Sequence, residues 1–277
     1  MSSENNTNES DYDQNLLAEK YIRVKGLSHD DFTNRRRLIA SFVADNIIRL
    51  IKRGLSYLNY NIPVECALDV GCGEGHMCRV LIEEKIAQYV VGIDKSKEMI
   101  KYAKANSNDG ITHDKYIIVN AATDDLLTVL GKKSPLIMQI NMLCHAEDVN
   151  QLSNILFNIA KVCCGVFVGL IPNPYCDYSS NSVKKLLKYG VKFTMNEEEK
   201  SMKDGMKYLV TLGKGTSSEI TLVDHWYSAE TYERVFKQAG FKLFEWIPVQ
   251  LDRNKDDDYL IDLVDGNGLI GFIARMA

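Results

Sequence analysis

No run in this 277-residue sequence is long and apolar enough to span a bilayer, so no membrane partner is expected. Its N-terminal stretch is polar and acidic rather than basic and then apolar, which predicts no secretory signal and a cytoplasmic location. There is no basic excess either. Against 33 Lys and Arg stand 37 Asp and Glu, a formal net charge of −4, whereas a general phosphate-backbone binder needs a basic face. No nucleic-acid partner is expected. The seven cysteines are odd in number and include no pair of C-x-x-C units, so no metal site is expected; reduced, partly buried thiols fit better. What remains is an ordinary globular composition, 45% hydrophobic and 25% charged, at a length that fits one α/β domain with an insertion.

What is present starts at Leu68-Asp69-Val70-Gly71-Cys72-Gly73-Glu74-Gly75-His76. A short apolar run ends there in three alternate glycines and opens into a helical pattern. Such a strand–turn–helix lays bare backbone against a ligand, and the helix N-terminus adds unpaired N–H groups and a positive dipole end. About twenty residues on, Val90-Val91-Gly92-Ile93 ends in Asp94, an acid placed to bind both hydroxyls of a ribose. The dinucleotide fingerprint would need its third glycine where His76 stands, which weakens a pyrophosphate reading.

The spacing D-x-G-x-G-x-G from Asp69 to Gly75 resembles motif I of the class I S-adenosylmethionine-dependent methyltransferases, and Asp94-Lys95-Ser96-Lys97-Glu98-Met99 resembles that family's D-x-S-x-x-M continuation. The resemblance implies S-adenosylmethionine as cofactor. It places the backbone of Gly71 and Gly73 along the methionine part, Asp69 near the ammonium and Asp94 on the ribose. Cys72, Gly75, Lys95 and Met99 fall in the same motifs. Ala18-Glu19-Lys20-Tyr21 resembles the A-x-x-Y segment that helps close over the cofactor, through Tyr21. Asn120, Ala121 and Ala122 sit where the family contacts adenine, but Ala121 occupies the usual acid position, so that contact shifts to Asn120, Thr123 or a backbone group.

After the fourth strand, Asn141-Met142-Leu143-Cys144-His145 faces both the cofactor's methyl and the substrate by the same resemblance. Asn141 joins the cofactor set. His145 either takes a proton from a hydroxyl or amine nucleophile or caps the next helix. His225 enters the following helix and either faces this pocket or is structural. Asn173-Pro174-Tyr175 mimics an amino-methyltransferase motif but follows the fifth strand, and reads as a hinge. Ile171-Pro172-Asn173-Pro174, Lys188-Tyr189-Gly190 and His225-Trp226-Tyr227-Ser228 together resemble the toxoflavin synthase-like branch. That likeness implies Asn173, Tyr189, His225 and Tyr227 as pocket residues. The aromatics Tyr175, Tyr178, Tyr189, Trp226 and Tyr227 would suit a flat or amphipathic small molecule.

The predicted architecture is α/β. A disordered tail over residues 1–15 precedes one domain over 16–277. Its Rossmann-like, doubly wound sheet has seven strands, the last antiparallel by resemblance. Strands are predicted at Ala67–Val70, Tyr89–Ile93, Tyr116–Val119, Leu136–Ile140, Val166–Ile171, Phe241–Val249 and Leu269–Ala274. Arg37 to Tyr57 carries an amphipathic helical stripe, with Arg35-Arg36-Arg37 as its solvated start. Residues 172–226 are too long for a simple connection. They form an insertion, with a hairpin of Met206–Leu212 and Glu219–Val223, that would cover the substrate as a lid. The expected function is methyl transfer to N or O of a small molecule. RNA or protein methylation is one alternative, and a non-catalytic S-adenosylmethionine-binding protein another.

Overall fold

The computed structural model describes residues 15–24, 33–107, 114–176, 178, 181–195, 202–252, 258–265 and 268–276. The tail expected over residues 1–15 falls outside that range except for Asn15, and so do the side chains of Arg35, Arg36 and Arg37. Two helices, α1 (Asn15–Val24) and α2 (Thr33–Ser56), lead into the alternating part of the chain. There β1 (Val64–Val70), α3 (His76–Glu83), β2 (Ala87–Asp94), α4 (Lys97–Asn106), β3 (Asp114–Ile118), α5 (Leu126–Leu130), β4 (Ser134–Ile140), α6 (Val149–Val162) and β5 (Cys163–Pro172) follow in order. A second unit comprises α7 (Asn181–Lys184), β6 (Lys192–Thr194), β7 (Met206–Leu212) and β8 (Ile220–Trp226). The chain then returns through α8 (Ala229–Gln238), β9 (Leu243–Pro248), α9 (Ile261–Asp265) and β10 (Leu269–Arg275).

The main sheet runs β3-β2-β1-β4-β5-β10-β9, parallel except for β10, which lies antiparallel to both neighbours. Strand alternation splits its side chains between two apolar layers. On β5, Val166, Val168 and Leu170 pack with Ile47, Leu50 and Ile51 of α2. Phe167 and Ile171 face the other way, onto Leu152, Leu156 and Ile159 of α6 and Phe236 of α8. Side-chain caps fix three helix starts: Ser96 accepts from Met99 N–H, Asp148 from Gln151 N–H and Ser228 from Thr231 N–H.

The chain leaves β1 toward β2 and β3 on one side and toward β4 and β5 on the other. That reversal opens a crevice at the carboxyl ends of β1 and β4, where a doubly wound sheet binds its ligand. The smaller sheet, β6-β7-β8, is antiparallel and closes through a turn at Gly213 to Glu219. Helix α1 sits against it through Tyr21 and Val24 beside Ile220 and Leu222, and Glu19 accepts a 3.3 Å hydrogen bond from Tyr102 of α4. No helix among the described residues is long and apolar enough to cross a membrane.

Candidate active site

The glycine turn after β1 is held by its own backbone. Gly71 N–H and Cys72 N–H both donate to the Ile93 carbonyl, at 2.8 and 3.0 Å. All three glycines adopt left-handed φ, +75°, +54° and +81° at Gly71, Gly73 and Gly75, a region that costs an L-residue about 1–2 kcal/mol. They differ in what surrounds them. A Cβ on Gly71 would stand 2.6 Å from Met142 Cγ, and one on Gly75 2.5 Å from the Tyr116 hydroxyl. One on Gly73 meets nothing within 4 Å. Gly73 thus borders open space, the cradle that a side chain would fill.

Asp94 ties β2 to this turn. Its Oδ2 accepts from Gly73 N–H at 2.9 Å and its Oδ1 from Ser96 N–H at 2.8 Å. Burial raises its pKa above the usual carboxylate range, while those two N–H bonds pull it back. Asp69, on β1, is only 3% exposed and takes a hydrogen bond from the Cys78 thiol at 3.5 Å. Burial, reinforced by the charges of Asp94 and Glu74, lifts it to about 7. Raised above its unfolded value, Asp69 contributes stability that is fully present below the unfolded pKa and lost as pH rises through about 7.

At the end of β4 the chain turns sharply. Asn141 takes φ +50°, uncommon for a residue with a side chain. The turn is pinned by buried Gln139, whose amide donates to Leu170 O at 3.1 Å and accepts from Met142 N–H at 2.8 Å. Asn141 Oδ1 is buried, and no donor among the described residues reaches it.

Two adjoining clefts open from these turns. The first, about 130 Å³, is lined by Tyr21, Gly71, Gly73, Asp94, Lys95, Met99, Asn120, Ala121, Ala122, Asn141 and His145 of the residues singled out in the sequence. Gln151 and Ile155 of α6 also line it and carried no motif. The second, about 290 Å³, adds Asp69 and Cys72 and shares Tyr21, Gly71, Gly73, Asn141 and His145. Gly75 lines neither cleft. Its place is the left-handed start of α3, packed under the Tyr116 ring, so its glycine serves the fold.

His145 closes a short 3-10 turn (Leu143–His145), and its Nδ1 lies 3.2 Å from Asp224 Oδ1. The approach is at ion-pair distance, and that oxygen has no hydrogen bond among the described residues. Asp224 is 6% exposed and lines the second cleft; burial raises its pKa and His145 opposes the rise. The sequence puts His225 at the entry to a helix, either facing the pocket or structural. Instead β8 runs on to Trp226, and alternation along it puts Ile220, Leu222 and Asp224 on one face and His225 on the other. Extending the alternation two residues past Leu222 is the signal that finds Asp224. His225 is buried, lines neither cleft, and is held toward its neutral form by burial. Tyr189 does line the second cleft. Asn173 and Tyr227 do not: Asn173 caps Tyr175 N–H at 3.0 Å, and the Tyr227 hydroxyl donates to Ala146 O at 2.6 Å within the core.

Cys144, His145 and Asp224 bring a thiol, an imidazole and a carboxylate within 4.8 Å of one another. Donors of this kind can hold a metal ion. Here the Cys144 thiol donates to Asn141 O at 3.2 Å.

Residues 35–245 match the family model of a methyltransferase domain. A search of curated proteins finds no match. The fold is similar to that of an S-adenosylmethionine-dependent methyltransferase from Clostridium acetobutylicum ATCC 824 (TM-score 0.57, 14% identity, 95% of this chain and 98% of that one). It is also similar to magnesium protoporphyrin IX methyltransferase from Synechocystis PCC 6803 with bound SAH (TM-score 0.59, 12% identity, 96% of each chain). A third similar structure is DesVI from Streptomyces venezuelae (TM-score 0.57, 13% identity, 90% of this chain and 100% of that one).

Proposed function

The chain belongs to the methyltransferase-domain family, whose members depend on S-adenosylmethionine, and from that premise we propose that it methylates N or O of a small molecule. One observation carries the small-molecule reading. A larger, mostly apolar cleft adjoins the glycine-lined one, and His145 stands on the shared wall. A pocket of this kind suits a small ligand better than a polymer.

The residues of the first cleft, with Asp69 from the adjoining one, fit the cofactor. Gly73 leaves its cradle open, and the orphaned Asn141 Oδ1 and the buried Asp69 offer acceptors to an ammonium. Asp94 would take the ribose hydroxyls, Lys95 and Met99 would flank them, and Asn120 to Ala122 would border the adenine. When bound, S-adenosylmethionine supplies an electrophilic methyl group on a sulfonium. The protein then has to align, exclude water and accept a proton. Asp224 beside Nδ1 orients the His145 ring, and Nε2 is the atom that takes the acceptor's N–H or O–H proton. The second sheet, with β7 and β8 walling the larger cleft, serves as the lid that excludes water.

His145→Ala is expected to lower kcat by about 10²–10⁴-fold and to leave binding of S-adenosylhomocysteine unchanged. Asp224→Asn should cost less, because Asp224 acts through the imidazole. Unaltered turnover in both variants would remove the acid–base role. Activity that survives a chelator separates this role from a metal held by Cys144, His145 and Asp224.

The raised pKa of Asp69 adds a pH dependence. A cofactor ammonium favours the carboxylate, so affinity for S-adenosylhomocysteine should fall as pH drops below about 7, and Asp69→Asn should flatten that slope. Calorimetric titration between about pH 5.5 and pH 8 reads both curves. A flat wild-type curve would place the ammonium elsewhere.

A further inference from the structure

The second cleft has a chemical bias that its size does not convey. Much of its wall is aliphatic, with Ile39 and Val43 of α2, Leu186, Val210 of β7, Leu222 of β8 and Leu263 of α9, beside the rings of Tyr21, Tyr189 and Phe193. Three acidic residues also line it, Asp69, Glu74 and Asp224. No lysine or arginine is among the described residues that line it. Glu74 is already matched by Arg79, at 2.6 Å from outside the cleft, and Asp224 has the His145 ring beside it. The Tyr189 hydroxyl, on the same wall, is engaged with the Tyr259 carbonyl.

An anion entering this cleft would leave water for a site whose described lining offers acidic oxygens and no lysine or arginine, and the desolvation of its charge would go uncompensated there. An ammonium or amine loses far less. With Asp69 assigned to the cofactor's ammonium and Glu74 to Arg79, it meets the Asp224 carboxylate and a largely apolar wall. We infer that the acceptor is an amine carrying an apolar body, without carboxylate or phosphate, and that Asp224 selects it. This inference rests on the methyltransferase reading above and names the acceptor class for the same site.

The test uses the full chain saturated with S-adenosylhomocysteine and titrated calorimetrically with three probes of one shape: 4-phenylbutylamine, 4-phenylbutanol and 4-phenylbutyrate. The amine should bind at least about tenfold more tightly than the carboxylate, with the alcohol between them. Asp224→Asn should narrow the gap. Ala40→Lys, which adds a cation to the α2 wall, should turn the preference toward the carboxylate, and so keeps the proposal open to test if the Asp224 variant misfolds. Equal or tighter binding of the carboxylate, or no binding of any probe, overturns the inference. S-adenosylhomocysteine that binds while the carboxylate wins leaves the methyltransferase reading standing. S-adenosylhomocysteine that fails to bind removes both.

Discussion

Replacing Asp94 with alanine is expected to weaken S-adenosylhomocysteine binding by at least about a hundredfold. Two losses combine. The carboxylate that would hold the ribose is gone, and the N–H groups of Gly73 and Ser96, bonded to it at 2.9 and 2.8 Å, lose their acceptor. The glycine turn is then free to drift from the geometry in which its backbone meets the cofactor. Asp94→Asn keeps one carbonyl oxygen and should fall between wild type and alanine. Calorimetry measures the affinity, and a thermal melt in the absence of ligand checks that the fold survives. Affinity unchanged by Asp94→Ala would move the ribose away from β2 altogether.

A second large effect should separate two glycines that look alike in the motif. Gly75→Ala forces a side chain into left-handed backbone and into the Tyr116 ring, whose Oη and Cζ would lie 2.5 and 2.7 Å from the new Cβ. The backbone component is about 1–2 kcal/mol and the overpacking about 1–3 kcal/mol. For a domain of this size, that predicts a melting temperature lower by roughly 5–15 °C. Gly73→Ala has no clash and should cost only the backbone component, about 1–2 kcal/mol. Its methyl would stand in the first cleft and should reduce cofactor affinity at least about tenfold. The pair of melts and titrations distinguishes a glycine kept for packing from one kept for a ligand. If both variants lose stability and neither loses specific affinity, the open space at Gly73 is not where the cofactor lies.

These positions also mark where the sequence could be read and where it could not. Strands β1, β2, β4, β5 and β10 are dense apolar runs, and the alternation of the first four with helical patterns marked an open α/β sheet. Their ends moved outward in the structure: β1 starts at Val64 rather than Ala67, and β5 at Cys163 rather than Val166. Main-chain pairing carries a strand past the point where its side chains stop being apolar. The same extension hid Asp224. An acidic residue beyond Val223 reads as the end of a strand, yet pairing with β7 continues to Trp226. Helices α5, α7 and α9 are five, four and five residues long, too short to show a helical period. The turn glycines and Asp94 were legible because their chemistry is local. Contact between His145 and Asp224 was not, because it joins a turn after β4 to a strand of the smaller sheet.

Beyond Tyr21 and the turns after β1 and β4 that they share, the two clefts draw on different stretches of chain. The first is built from the turns after β1, β2, β3 and β4, whereas much of the second comes from α2 and from the segment between β5 and α8. Heritable change can therefore act on them at different speeds. On the proposed reading, an insertion or exchange within the smaller sheet would alter which molecule is accepted and leave the turns after β1, β2, β3 and β4 that hold the donor in place. Transplanting residues 173–226 between relatives offers a way to redirect specificity in one step, with the region around Asp94 carried over unaltered.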